Sequence, residues 1–219
     1  MLKRNALRFR TLYQFGFSIL ITVSLLIQFG YGIYVEHGIT VGYIAVFFTY
    51  FTILSNIFVA SVLWNEARTS YKGEVPSEHF ERVRATAVFC ILTTGIIYAF
   101  FLKGPGGAGA VTDSIPWINS VFHYIMPSVM AIDWLLFPPR KPAHWVAILK
   151  WLLVTIIYLA YVELIGLFTG VYPYFFLDPV TLHGYLGVLR ASIAFIPFLV
   201  VIGAIIIGAN RLRRLILKS

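Results

Sequence analysis

The chain has 219 residues, 59% of them hydrophobic and 12% charged, with a mean hydropathy of +0.84 and a formal charge of +8. Soluble domains carry roughly 25% charged residues, so this composition excludes a soluble globular protein and implies an integral membrane protein. The basic residues flank apolar segments, where they orient the chain and attract anionic head groups on the inner face, which excludes nucleic acid as a partner.

Six apolar segments run approximately over 11–35, 41–64, 83–102, 115–137, 144–166 and 185–209, each long enough to cross ~30 Å of hydrocarbon as a helix. Residues 1–219 therefore read as one all-α membrane domain, a bundle of six transmembrane helices. The alternating ten-residue pattern of a membrane barrel is absent. The first segment follows the basic stretch MLKRNALRFR; it is too long for a signal peptide and lacks a small-residue cleavage site, so it reads as a retained span. With both termini inside, fourteen Lys and Arg fall on the inner side, Lys103 alone falls outside, and Lys150 and Arg190 lie within spans. That asymmetry predicts an N-in, C-in topology. The bilayer is then a bacterial cytoplasmic membrane in a bacterium, or an endomembrane or plasma membrane otherwise.

A short outer turn is expected around Glu36, His37 and Gly38. The first inner connection, NEARTSYKGEVPSEHFER (65–82), mixes both charge signs and reads as a solvated connector. Gly104 to Gly109 formally satisfies G-x-G-x-x-G, but it follows a membrane span rather than a strand, so no dinucleotide site is expected. Pro138, Pro139 and Pro142 stop the fourth helix and predict a tight inner turn. After span five comes GVYPYFFLDPVTLHG, aromatic and proline-rich, which reads as an interfacial segment or a cover over an outer opening. Tyr172 and Tyr174 within it are candidate substrate-binding residues. Gly166 and Gly170 form a G-x-x-x-G that suits either close helix contact or a helix C-terminus.

The polar residues inside the spans carry the functional question. In span four, Asn119, His123, Met126, Met130 and Asp133 recur at 4-3-4-3 spacing, one stripe of a helix that should face protein. In span two, Ala45, Thr49, Thr52, Asn56 and Val59 do the same. At 1.5 Å per residue, Thr52 lies about 15 to 17 Å from the outer end of its span and His123 about 9 to 12 Å from that of its own, which permits the two to meet. A threonine hydroxyl needs a base within roughly 2.6 to 3.2 Å to act as a nucleophile, and a neutral histidine suits that role. Asn119 and Asn56 are candidates to orient the base or to donate to an oxyanion. Asp133 lies about 15 Å along the helix from His123 and is expected near the inner interface. An interhelical hydrogen bond explains the same residues without chemistry, so composition and spacing alone do not establish an enzyme.

Glu163 and Arg190 are deep charges, expected ~5 Å and ~7 Å below the outer surface. Pairing across spans five and six, head-group recognition and proton movement are the alternatives for them. Cys90, the only cysteine, excludes an internal disulfide and a multi-cysteine metal site. Of His37, His79, His123, His144 and His183, only His123 is expected deep inside, so neither a metal nor another cofactor is called for.

FTYFTILSN (48–56), WINSVFHYIMP (117–127) and GVYPYFFLDP (170–179) occur in an order that resembles the androgen-induced membrane hydrolase family and its bacterial six-span relatives. The resemblance covers most of the chain. It implies an intramembrane hydrolase of fatty acid esters of hydroxy fatty acids, with the family's threonine falling on Thr52 and its histidine on His123. The chain departs from the family pattern at Ser120, where a further histidine is expected, and at Glu163, where the family residue is not acidic. The expected function is thus hydrolysis of a lipid ester by a Thr nucleophile and a His base. The alternative is a transporter or lipid-binding membrane protein that holds a head group on the same polar stripes without turnover.

Overall fold

A computed structural model describes residues 2–103 and 115–216, with side chains from Leu7 to Arg213. The run Gly104 to Gly109 lies outside the described residues. Those described are all helical, with no strand among them. Four helices are long and apolar enough to cross a membrane, five if one bent pair is a single broken span. This is the helix content expected of an integral multi-pass protein, since only hydrogen-bonded helices or closed barrels satisfy the backbone in lipid.

Helix α1 (Leu2–Val35) is followed by a turn in which His37 takes a φ of 56° and Gly38 one of 149°. Helix α2 (Val41–Phe47) is capped by Thr40, whose hydroxyl accepts the Tyr43 amide at 3.0 Å. The segment expected as one straight span over 41–64 is broken: α2 and α3 (Phe51–Tyr71) meet at 73°. Tyr50 is extended there, and the Thr49 carbonyl, freed from a helical partner, accepts the Tyr158 hydroxyl at 2.8 Å. Side chains from another helix thus make the break affordable to the backbone.

The inner connection also differs from expectation. Helix α3 continues to Tyr71, and α4 (Glu78–Ile97) starts at its cap Ser77, so little of 65–82 is connector. Glu66, within that stretch, is 1% exposed rather than solvated, and Arg84, just beyond it, is 3% exposed. Arg84 donates to Asp133 and Phe137 and lies 2.9 Å from Glu66, which also pairs with Arg10 at 3.2 Å. Gln14 joins the cluster by donating to Asp133 at 3.1 Å and accepting from Ser70 at 2.9 Å. Opposite charges on α1, α3, α4 and the fourth apolar segment neutralise one another, which is what lets them be buried.

The fourth segment is helical throughout 116–136 but not uniform. Helix α5 (Pro116–Ser120) passes through a π-helical turn (Val121–Ile125) into α6 (Met126–Leu136). Pro127 explains the widening: it lacks an N–H, and its ring would press on the carbonyl four residues earlier, that of His123. The neighbouring α4 makes room with Gly95, where an added Cβ would lie 2.9 Å from the Pro127 ring and 3.1 Å from the His123 carbonyl. His123, Met126, Met130 and Asp133 are buried and Asn119 is half-buried, so the polar stripe faces protein as expected.

Helix α7 (Ala147–Thr169) ends at Gly170, whose φ of 71° is left-handed, so this glycine closes the helix. Gly166 lies under the Tyr172 ring, in space a Cβ would occupy. The chain then folds back before α8 (Tyr185–Ile216), burying Tyr174, Phe176 and Leu177 against Tyr98, Val162 and Val188. Leu153, Ile156, Ile157, Leu164 and Phe168 on α7 remain exposed, a face suited to lipid tails.

Candidate functional site

The break before α3 and the π-turn after α5 bring Thr52 and His123 together. Thr52 sits in the first turn of α3, and its hydroxyl lies 3.1 Å from Nε2 of His123; the two are 4% and 3% exposed. The histidine tautomer follows from its other nitrogen. Nδ1 lies 3.0 Å from the backbone carbonyl of Asn119, which only accepts, so in the neutral ring Nδ1 carries the proton. Nε2 is then an acceptor, and Thr52 donates to it.

The imidazole is held further by Tyr98, stacked on it with ring centroids 3.8 Å apart. The Tyr98 hydroxyl accepts from the Asn119 side chain at 2.6 Å. Asn119 thus orients the base through its main chain while its amide fixes the stacking partner. Asn56 donates to the Thr52 carbonyl at 2.8 Å and to the Phe122 carbonyl at 3.5 Å, bracing the pair rather than touching the imidazole. Ser55 and Thr94, 2.8 Å apart, tie α3 to α4 beside it.

Thr52 faces a cavity of about 600 Å³ between α3, α4, α7, α8 and the folded-back segment that joins α7 to α8. Its wall is largely apolar, with polar side chains at Thr52, Thr93, Thr94, Thr155, Tyr158, Glu163, Tyr174, Tyr185 and Ser192. His123 is not part of that wall; it stands behind Thr52. Tyr174 lies beside Thr52, with the Thr52 side chain and the backbone N–H groups of Phe51 and Thr52 directed at its phenolic oxygen. Burial pushes the Tyr174 hydroxyl above its ordinary range, so it stays protonated. These amides belong to the four that a helix N-terminus leaves without intrahelical partners.

The remaining candidates divide. Glu163 lines the cavity, and among the described residues neither carboxylate oxygen has a hydrogen-bond partner. Among those residues no ion pair joins it to Arg190, which is exposed on α8 and outside the cavity wall. The expected pairing across spans five and six is therefore not formed. Tyr172 is half-buried against Gly166, its hydroxyl 3.4 Å from that of Tyr185, and lies outside the wall. Among the described residues no group of three His, Cys, Asp or Glu side chains is placed to hold a metal.

Tyr98, Tyr158 and Thr93 were not legible as site residues. Tyr98 sits at the C-terminal end of an apolar helix, and no spacing rule distinguishes a ring stacked on imidazole from an ordinary interfacial tyrosine. Comparison with family models, with curated proteins and with solved structures gives no match. What the fold and site define is a class: an all-helical protein with several membrane-length apolar helices and a buried Thr–His pair on the wall of an apolar cavity.

Proposed function

We propose that the protein is an intramembrane lipid-ester hydrolase, a six-span bundle with both termini inside, in which Thr52 is the nucleophile and His123 the general base. One observation carries the reading: the Thr52 hydroxyl is shared between Nε2 of a neutral, oriented histidine and a cavity sized and lined for an acyl chain. A structural hydrogen bond alone gives no reason for the hydroxyl to open onto a cavity.

In this mechanism Nε2 takes the Thr52 proton as Oγ1 attacks the ester carbonyl carbon. The oxyanion forms at the α3 N-terminus, where it must take over the Phe51 and Thr52 amides from the Tyr174 oxygen that they face in the free protein. Collapse breaks the ester C–O bond, and the alcohol leaves with the proton from Nε2. Water then attacks the acyl-threonine, His123 takes a proton from it, and that proton returns to Oγ1 as the fatty acid is released. The imidazolium that forms midway keeps its Nδ1–H on the Asn119 carbonyl, so the ring does not rotate between steps.

The test is labelling of the purified, folded protein with an alkyl phosphonate that reacts with activated hydroxyl nucleophiles, followed by mapping of the modified residue. Wild type should be modified at Thr52, and Thr52→Ala and His123→Ala should not be. Folded wild type that neither labels nor cleaves any lipid ester would rule out the mechanism.

A further inference from the structure

Two side chains on the cavity wall have buried polar atoms without hydrogen-bond partners among the described residues. Glu163 lines it with both carboxylate oxygens lacking partners among the described residues. Thr93, 3% exposed, lines it with a hydroxyl that likewise lacks one. Polar groups buried beside apolar surface without partners are costly, and in a binding cavity they read as groups whose partner is the ligand.

The charge around Glu163 narrows the ligand. Glu163 is the one acidic side chain on the wall, and among the described residues no Lys, Arg or His lines it. A carboxylate entering there finds no cation to pair with, whereas a hydroxyl finds two acceptor oxygens without partners. Position fits as well: Glu163 is five residues beyond Tyr158 on α7, roughly 7.5 Å further toward the outer end. The Tyr158 hydroxyl binds the Thr49 carbonyl, three residues before the nucleophile. Thr52 and Glu163 line the same cavity, so one ligand can present its ester to the first and its head group to the second.

We infer that Glu163 selects the substrate's alcohol portion, and that the ester cleaved is one of a polyol with free hydroxyl groups, of the monoacylglycerol class, rather than one bearing a free carboxylate. The inference rests on the hydrolase reading for the word ester, but its recognition step is measurable without turnover. A fatty acid ester of a hydroxy fatty acid carries a free carboxylate and is therefore disfavoured by this cavity.

Binding of three C18 ligands to detergent-solubilised wild type and Glu163→Gln separates the possibilities: a glycerol mono-ether that cannot be hydrolysed, oleate, and oleylamine. Wild type should bind the glycerol ether at least about tenfold more tightly than oleate, the scale of one hydrogen bond to a charged group. In Glu163→Gln that ratio should fall by about tenfold, through weaker ether binding and stronger oleate binding. An unchanged ratio, or a wild-type preference for oleate, would overturn the inference. Tighter Glu163-dependent binding of oleylamine than of the ether would overturn the polyol assignment in favour of an ammonium head group. Turnover of methyl oleate, which has neither hydroxyl nor carboxylate, is measured separately. Its absence in folded wild type sinks the hydrolase and leaves the binding preference to stand or fall by its own ratio.

Discussion

Replacing Arg84 by methionine removes the centre of the buried charge cluster while keeping most of the side chain's volume. Wild type balances Arg10 and Arg84 against Glu66 and Asp133, with the Glu66 and Asp133 side chains fully shielded from solvent. Arg84 alone contacts both acids, and it also satisfies the main-chain carbonyls of Asp133 and Phe137. Its loss leaves two carboxylates facing the single guanidinium of Arg10. Removing one partner from such a cluster costs about 3–5 kcal/mol. For a chain of this length that corresponds to a fall in Tm of roughly 6–20 °C. Thermal unfolding in detergent, followed by tryptophan fluorescence and by retention on size exclusion, reads this directly. The double variant Arg84→Met, Asp133→Asn leaves Arg10 against Glu66, one charge of each sign, and should recover a substantial part of the loss. The reasoning fails if Arg84→Met costs under about 1 kcal/mol, the scale of an exposed pair, or if the double variant is as unstable as the sum of its single changes.

Three further outcomes follow from the site. Gly95→Ala puts a methyl group 2.9 Å from Pro127 and 3.1 Å from the His123 carbonyl; it should cost about 1–3 kcal/mol in unfolding experiments and lower turnover by displacing the π-turn. Tyr98→Phe keeps the ring over the imidazole but loses the bond to Asn119, so it should reduce kcat by less than Tyr98→Ala, with KM little changed in both. Gly170→Ala forces a left-handed φ of 71° on a residue with a Cβ and should destabilise by about 1 kcal/mol without altering phosphonate labelling.

Helix-forming segments are legible from hydropathy because lipid permits few alternatives to a hydrogen-bonded helix, and the 4-3-4-3 stripe in 119–133 correctly marks the protein-facing side. The break at 48–50 is not legible. No proline or glycine marks it, and it depends on Tyr158, over a hundred residues away, to satisfy the Thr49 carbonyl. The buried charge cluster is hidden for a related reason. Glu66 looks like a connector residue in a mixed-sign run and Arg84 like a flanking charge at the edge of the next apolar segment, and only the packing of four helical segments shows that they neutralise each other out of water. Asn119 illustrates a third kind of limit: its position one turn before His123 marks it as an orienting residue, but spacing cannot say that the carbonyl, not the amide, makes the contact.

The two departures from regular helix belong to one construction. A straight span over 41–64 would tie the Thr52 amide into a continuous ladder. The break instead makes Thr52 a first-turn residue on the cavity wall, its amide outside the α3 ladder. Across from it, Pro127 imposes a π-turn that carries His123, and Gly95 lets that turn approach α4 closely enough for Tyr98, just beyond the end of α4, to stack on the ring. Each irregularity forfeits regular helical hydrogen bonding, a cost that membrane segments rarely bear without compensation from neighbours. At the break the compensation comes from Tyr158 on the Thr49 carbonyl and from Tyr174 at the first α3 amides, and at the π-turn the Asn119 carbonyl takes the Nδ1–H of His123. That both distortions converge on one hydroxyl–imidazole contact favours a site over a packing accident, because a packing contact between a threonine and a histidine requires neither of them.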